Sequence, residues 1–267
     1  MIGAAPAKIN LALVVGPVRG DGKHELVTVY QRLDLCDRVS VEPATATTIE
    51  GFPQDTIVRA ALASLEAPHG WRVRIAKRIP VAAGLAGGSS DAATALLLAN
   101  AQLDEPLSPT RLHELAAAAG ADVPFFLSDG PQVGTGDGTT LEPVELPQDF
   151  AVLLVLPHGE VKESTTVVYA RFDDRAGADG WHERAAALRD GLAAVRRPRD
   201  LAALPPNDLA SSPHAGALRA EGAFRADVSG AGPAVYGLFH RRADARRAAR
   251  AHGRVGRTFV AVPAWYG

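Results

Sequence analysis

The sequence predicts an α+β fold in two lobes. Alternating, β-branched segments crowd the front of the chain, an Ala/Leu-rich helix follows a glycine-dense turn, and the rear orders strand, helix and strand pair as a split βαβ sandwich does. A chain of 267 residues is long enough for each of two lobes to bury its own core. The boundary is expected near Pro147, giving lobes at 1–147 and 148–267, because "GTGDGTTLEPVELPQDF" is dense in Gly, Pro and Asp just before the apolar run "AVLLVL".

Each element follows from local pattern. Ile9, Leu11, Leu13 and Val15 take one side of a period-two strand and Lys8 and Asn10 the other, so these two polar groups point the same way from a half-buried strand. "ELVTVYQRLDLCDRVSVEP" reads as two further strands, and "WRVRIAKRI" alternates until Pro80 stops it. From Ser90 to Leu103 the chain is almost all Ala and Leu, which marks a buried helix, capped by Ser89 or Ser90 with Asp91 in its first turn. Ser108 caps a second helix that Pro109 opens and Gly120 closes in the left-handed conformation, and Asp122 follows at the mouth of the next element. Helices are expected around 163–170 and 183–195, with a polar loop at 173–180 between them. A strand at 223–228, a glycine turn "SGAGP", a strand "AVYGLF", a helix at 243–252 and a strand "RTFVAV" complete the chain.

Bulk properties exclude several classes. A net charge of -2 lacks the basic surplus that nucleic-acid binding needs, and the arginines of 241–257 alternate with alanines as on a solvated helix face. Cys36 is the sole cysteine, which excludes an internal disulfide and a Cys-based zinc site and fits a reducing compartment. No run of apolar residues reaches membrane-spanning length. A soluble cytoplasmic protein with no membrane partner is expected, monomeric or a weak homodimer.

The strongest chemical signal is "IPVAAGLAGGSSDAA", residues 79–93, where a strand ends, glycines crowd together and paired serines open a helix. Glycines let successive N–H groups converge, and the helix N-terminus behind them adds partial positive charge, which together make a phosphate cradle. Gly84, Gly87 and Gly88 allow close backbone approach, and Ser89 and Ser90 can donate to phosphate or ligate magnesium. An ordinary tight turn before a buried helix has the same composition. The loop is no Walker A motif, since no lysine precedes Ser89, and its spacing is not that of a Rossmann turn.

"PVAAGLAGGSSDAA" resembles the central phosphate-binding motif of the GHMP kinase superfamily, "APAKINLAL" resembles its first motif and "VSGAGPAVYGL" its third. The three occur in the right order across nearly the whole chain. The resemblance implies an N-terminal lobe like the ribosomal protein S5 second domain, a ferredoxin-like C-terminal lobe, and an ATP-dependent kinase that uses Mg2+. Within the superfamily, "DGKHELVTVYQRLDLCDRV", "GADVPFFL", "GTGDGTTL" and "NDL" resemble the branch of non-mevalonate isoprenoid synthesis whose acceptor is a cytidine-diphosphate-linked polyol.

That resemblance assigns the site. By position alone Asp122 reads as an N-cap and Lys8 as a solvated lysine; the motifs make Asp122 the proton acceptor and Lys8 its charge partner at the transferred phosphate. ATP would lie on Lys77, Pro80, Val81, Ala82, Ala83, Gly84, Leu85, Ala86, Gly87, Gly88, Ser89 and Ser90. The substrate would meet Asn10, Lys23, His24, Thr165 and Tyr169, with His24 hydrogen-bonding the cytosine and Tyr169 stacking on it. Two positions depart from the pattern. Lys23 replaces the usual tyrosine of the base clamp, and Thr56 stands where an asparagine near the adenine is common. Lys23 leaves open an acceptor resembling homoserine or mevalonate, and a silent nucleotide-binding module is the alternative from another class.

Overall fold

A computed structural model describes residues 1–160 and 163–264. They form two compact units, Met1–Ala7 with Leu35–Val81 and Ala86–Asp129, and Lys8–Asp34 with Ala82–Leu85 and Gly130–Gly267.

Strand β1 (Ile2–Val18) begins in the first unit, where Met1 and Val41 exchange backbone hydrogen bonds. Strand β2 (His24–Ala44) contributes its second half there, followed by β3 (Thr48–Glu50), α1 (Thr56–Ala63) and β4 (Gly70–Ala76). β4 runs antiparallel to β2, with Arg38 opposite Ala76 and Ala44 opposite Gly70, and parallel to β3. Residues 24–44 form one strand, not the two expected, because no turn-forming pair interrupts their β-branched run before Pro43.

Helix α2 (Gly87–Asn100) is buried along most of its length, as its Ala/Leu content requires. It starts three residues earlier than expected, since Ala86 takes the left-handed cap conformation, and Ser89 and Ser90 lie inside the first turn without capping it. Asn100 ends it and binds both the N–H and the carbonyl of Leu107. Ser108 then caps α3 (Pro109–Ala119) by accepting from the Arg111 amide, as expected. Gly120 is extended, φ 168° and ψ 149°, and not left-handed; its amide bonds to the Ala116 carbonyl before a turn leads into a 3-10 segment at Pro124–Leu127.

In the second unit the first half of β2 pairs with β5 (Gln132–Gly136), and β5 with β6 (Thr140–Pro143). β1 is buried on both faces from Ala5 to Gly16, so it is not the half-buried strand that its alternation suggested. Next come β7 (Ala151–Pro157), α4 (Thr165–Asp174), α5 (Trp181–Ala194), α6 (Pro213–Ala220), β8 (Arg225–Val228), β9 (Val235–Phe239), α7 (Arg242–His252) and β10 (Gly256–Ala261). β7 to β10 make an antiparallel sheet in the order β10-β7-β9-β8. With helices on the crossovers, that is the ferredoxin-like arrangement expected. Its core joins Leu153 and Val155 to Leu218, Phe239, Ala245 and Ala248, while Arg241 at the cap of α7 and the α7 arginines 242, 246, 247 and 250 face water.

Arg225, 6% exposed, binds the carbonyls of Leu201, Leu204 and Pro205 and the Tyr236 hydroxyl. Arg225→Leu would leave those carbonyls buried without donors. Chemical denaturation is expected to show a loss of about 3 kcal/mol; a change under 1 kcal/mol would contradict this account.

Candidate active site

The segment 82–86 alternates in hand. Ala82, Gly84 and Ala86 have φ of 55°, 80° and 54°, and the residues between them do not. Alternation of this kind turns successive amides toward one point. The carbonyls of Ala83, Gly84, Leu85 and Ala86 are taken by Ala234 N, Ser229 Oγ, Lys8 N and Ser90 N. Among the described residues, the amides from Ala82 to Gly87 donate to no protein group. The segment therefore presents donors and hides acceptors, as an anion cradle must.

The glycines contribute differently from the expectation. Gly84 needs its positive φ, and a Cβ there would also strike the Ser229 carbonyl oxygen. Gly87 and Gly88 are helical. Gly87 is small because a Cβ would sit 3.1 Å from Ile79 Cγ2 and 3.2 Å from Lys77 Nζ. Pro80, Ala83 and Leu85 are buried, whereas the side chains of Val81 and Ala82 face solvent.

In the first unit Lys77 is clasped by two fully buried carboxylates, its Nζ 2.5 Å from Asp37 Oδ2 and 2.7 Å from Asp91 Oδ2. Asp37 Oδ1 also accepts from the amides of Arg78 and Ile79 at 2.5 and 2.8 Å, fixing the exit of β4. Asp55 caps α1 through the Val58 amide, 2.8 Å away, and burial pushes its carboxyl up. Burial draws Lys77 down, but hydrogen bonds to Asp37 and Asp91 outweigh it and hold the ammonium above its usual range. Asp91 is the weaker competitor for Lys77, because its Oδ1 has no hydrogen-bond partner among the described residues. Burial first, then the charges of Asp37 and Asp55, push its carboxyl up to about 7 against the pull of Lys77. The buried Ser90 hydroxyl likewise has no partner there. Asp122 sits half-buried in the turn before the 3-10 segment, whose cap position is Val123.

In the second unit Lys8 and Asn10 are 3% and 4% exposed, and Lys8 Nζ lies 2.7 Å from Asn10 Oδ1, so the two side chains do share one side of β1. Asn10 donates to Thr28, which donates to the Ala12 carbonyl. The turn 229–233 closes on this pair: a Cβ at Gly230 would lie 3.4 Å from Asn10 Oδ1 and 3.7 Å from Lys8 Nζ. Asn207 ties that turn down through the carbonyls of Val228 and Gly230. His24 meets Asp173 at 2.8 Å and stacks on Tyr169, ring centroids 4.6 Å apart. Thr165 is exposed at the start of α4, and Lys23 reaches Asp137 at 2.5 Å. Burial opposes ionisation of Asp137, but the Lys23 ammonium and the Thr139 hydroxyl and amide hold its carboxyl down at about 2. Sequence reasoning missed Asp37, Asp55, Thr28, Asn207 and Asp173. Asp37 stands within "DLCDRV" and Asn207 within "NDL", but neither segment carries a local sign of its long-range partner.

The fold and this cradle define a class. Family models match the chain at residues 55–130, "GHMP kinases N terminal domain", and at 215–258, "GHMP kinases C terminal". A solved mevalonate kinase, 13% identical, covers 98% of the chain and 99% of its own with a TM-score of 0.74, a likeness of fold. A 4-diphosphocytidyl-2-C-methyl-D-erythritol kinase of Thermobifida fusca is 39% identical over 85% of this chain and 83% of its own. The crystal structure of a 4-(cytidine 5'-diphospho)-2C-methyl-D-erythritol kinase, 35% identical, covers 99% of the chain and 100% of its own with a TM-score of 0.78. The chain belongs to the 4-diphosphocytidyl-2-C-methyl-D-erythritol kinase family of the GHMP kinases, and is thus an ATP-dependent small-molecule kinase. Among the described residues no helix is long and apolar enough to cross a membrane.

Asp91 gives the stability of the fold a pH dependence. Its folded-state value stands above the ordinary 3.8, so the protonated form favours the fold, and stability is lost as pH rises from about 4 through about 7. Asp91→Asn keeps an acceptor for Lys77 without the charge. Denaturation at pH 8 and pH 5 should find the variant stabilised relative to wild type by about 2–3 kcal/mol more at the higher pH; an equal difference at both would refute the assignment.

Proposed function

We propose that this chain transfers the terminal phosphoryl group of ATP to the 2-hydroxyl of 4-diphosphocytidyl-2-C-methyl-D-erythritol, on the non-mevalonate route to isoprenoid precursors. The observation that carries the reading is likeness at both ends and in the middle: 35% identity to a solved enzyme of this name, over 99% of the chain. The unspent amides of 82–87 support it, since triphosphate oxygens need such donors.

Phosphoryl transfer asks the protein to position reactants, offset charge and accept one proton. In this reading Asp122 takes the proton from the substrate hydroxyl, and Lys8 holds that carboxylate ionised and offsets charge on the moving phosphoryl group. Asn10 orients the erythritol hydroxyls. Lys77 and 80–90 hold the nucleotide. Lys23, His24, Thr165 and Tyr169 hold the cytidine diphosphate. A magnesium ion would fit beside Ser90 or Ser89, since the buried Ser90 hydroxyl has no hydrogen-bond partner among the described residues, and it would neutralise phosphate charge. The lobes run 1–147 and 148–267, and the protein works in the cytoplasm as a monomer or weak homodimer. Lys23 favours a second reading, a kinase of another alcohol, because its ammonium is tied to Asp137 where an aromatic ring would stack.

Steady-state assays with ATP and Mg2+ decide between them. Turnover of the cytidyl substrate, but not of homoserine or mevalonate, is the expected result; the reverse would overturn the substrate assignment. Asp122→Asn is expected to lower kcat about a hundred- to ten-thousand-fold while leaving ATP binding within about twofold, a split that a silent nucleotide-binding module would not show. Unchanged turnover would remove Asp122 from catalysis.

A further inference from the structure

Asp173 lies outside every motif that marked this chain. On α4, Phe172 and Asp173 follow Tyr169 by three and four residues, the helical spacings that bring both beside it. His24 is gripped by these three. Its ring stacks on Tyr169 with planes 30° apart, meets the edge of Phe172 at 5.8 Å, and brings Nε2 to 2.8 Å from Asp173 Oδ1. The imidazole is 9% exposed and the Asp173 side chain 48%, so the histidine is held from within while the carboxylate stands at the rim.

The direction of the hydrogen bond follows from chemistry. A carboxylate offers only lone pairs, so the hydrogen belongs to Nε2. A neutral imidazole carries a single N–H, which leaves Nδ1 with a lone pair. Among the described residues nothing else hydrogen-bonds this ring.

We propose that Asp173 sets the base preference of the site, fixing His24 as the Nε2–H tautomer so that Nδ1 accepts a hydrogen bond from an exocyclic amino group and disfavours a carbonyl at the same place. Cytosine carries that amino group at C4, whereas uracil carries an oxygen, which would face Nδ1 lone pair to lone pair. The inference rests on the cytidyl-substrate reading above. Asp173 acts through His24, as a positioning residue that does not touch the reacting atoms.

Two measurements test it. Nitrogen-15 NMR at about pH 8, above the ordinary titration range of histidine, reads the tautomer directly, with the His24 signal assigned by its loss in His24→Gln. Nε2–H is expected in the wild type, and Nδ1–H would overturn the proposal. Kinetics then compare the cytidine- and uridine-diphosphate-linked forms of the substrate. The wild type should prefer the cytidine form by about tenfold or more in kcat/KM, the scale of one mismatched buried hydrogen bond. Asp173→Ala should bring that ratio to within about threefold by raising KM for the cytidine form, with kcat and the KM for ATP little changed. Asp173→Glu, which keeps the acceptor, should recover part of the preference. An unchanged ratio in Asp173→Ala overturns the role of Asp173 alone. Failure of the wild type to turn over either nucleotide form, alongside turnover of a different alcohol, overturns the substrate reading and this role with it.

Discussion

One buried carboxylate organises the approach to the cradle. Asp37 spends one oxygen on the amides of Arg78 and Ile79 and the other on the Lys77 ammonium. It thereby fixes both the path of the chain leaving β4 and the position of the charge beside the first turn of α2. A carboxylate with no exposure is tolerable only when its lone pairs are met in this way. Asp91 shows the contrast: sharing the same lysine but lacking amide donors, it is pushed toward its neutral form. The two acids differ in environment, not in type.

The second unit reaches a comparable result by close packing. Lys8 and Asn10 are buried polar groups held by each other, by Thr28 and by the near approach of Gly230. Asn207 fastens the glycine turn by donating to the carbonyls of Val228, at the end of β8, and Gly230, while its own backbone amide bonds Asp227. Neither arrangement depends on an exposed ion pair, whose contribution would be small and sensitive to salt.

Much of the fold was legible because period and punctuation agreed. The Ala/Leu run became α2, Ser108 and Pro109 opened α3, and the rear strands and α7 fell within a residue or two of their expected positions. The failures share a physical cause. Sequence shows which residues can adopt a positive φ but not which ones are made to: Gly120 is extended, Gly87 and Gly88 are helical, and Ala82 and Ala86 carry the left-handed turns. Likewise, β1 alternates as though one side met water, yet both sides are covered by later parts of the chain. Motif likeness singled out the segment 80–90, Lys8, His24 and Tyr169 as candidates. It could not supply Asp37 or Asp173, whose importance lies in partners 40 and 149 positions away in the chain.

Ala82 and Ala86 carry a consequence for binding. An alanine held left-handed costs about 1–2 kcal/mol, and glycine would relieve that strain while admitting many more backbone shapes. With alanine, the segment has few backbone shapes open to it, so in the proposed phosphate-binding role less affinity would be lost to ordering. The strain is met at folding, and the shape of the segment is set there.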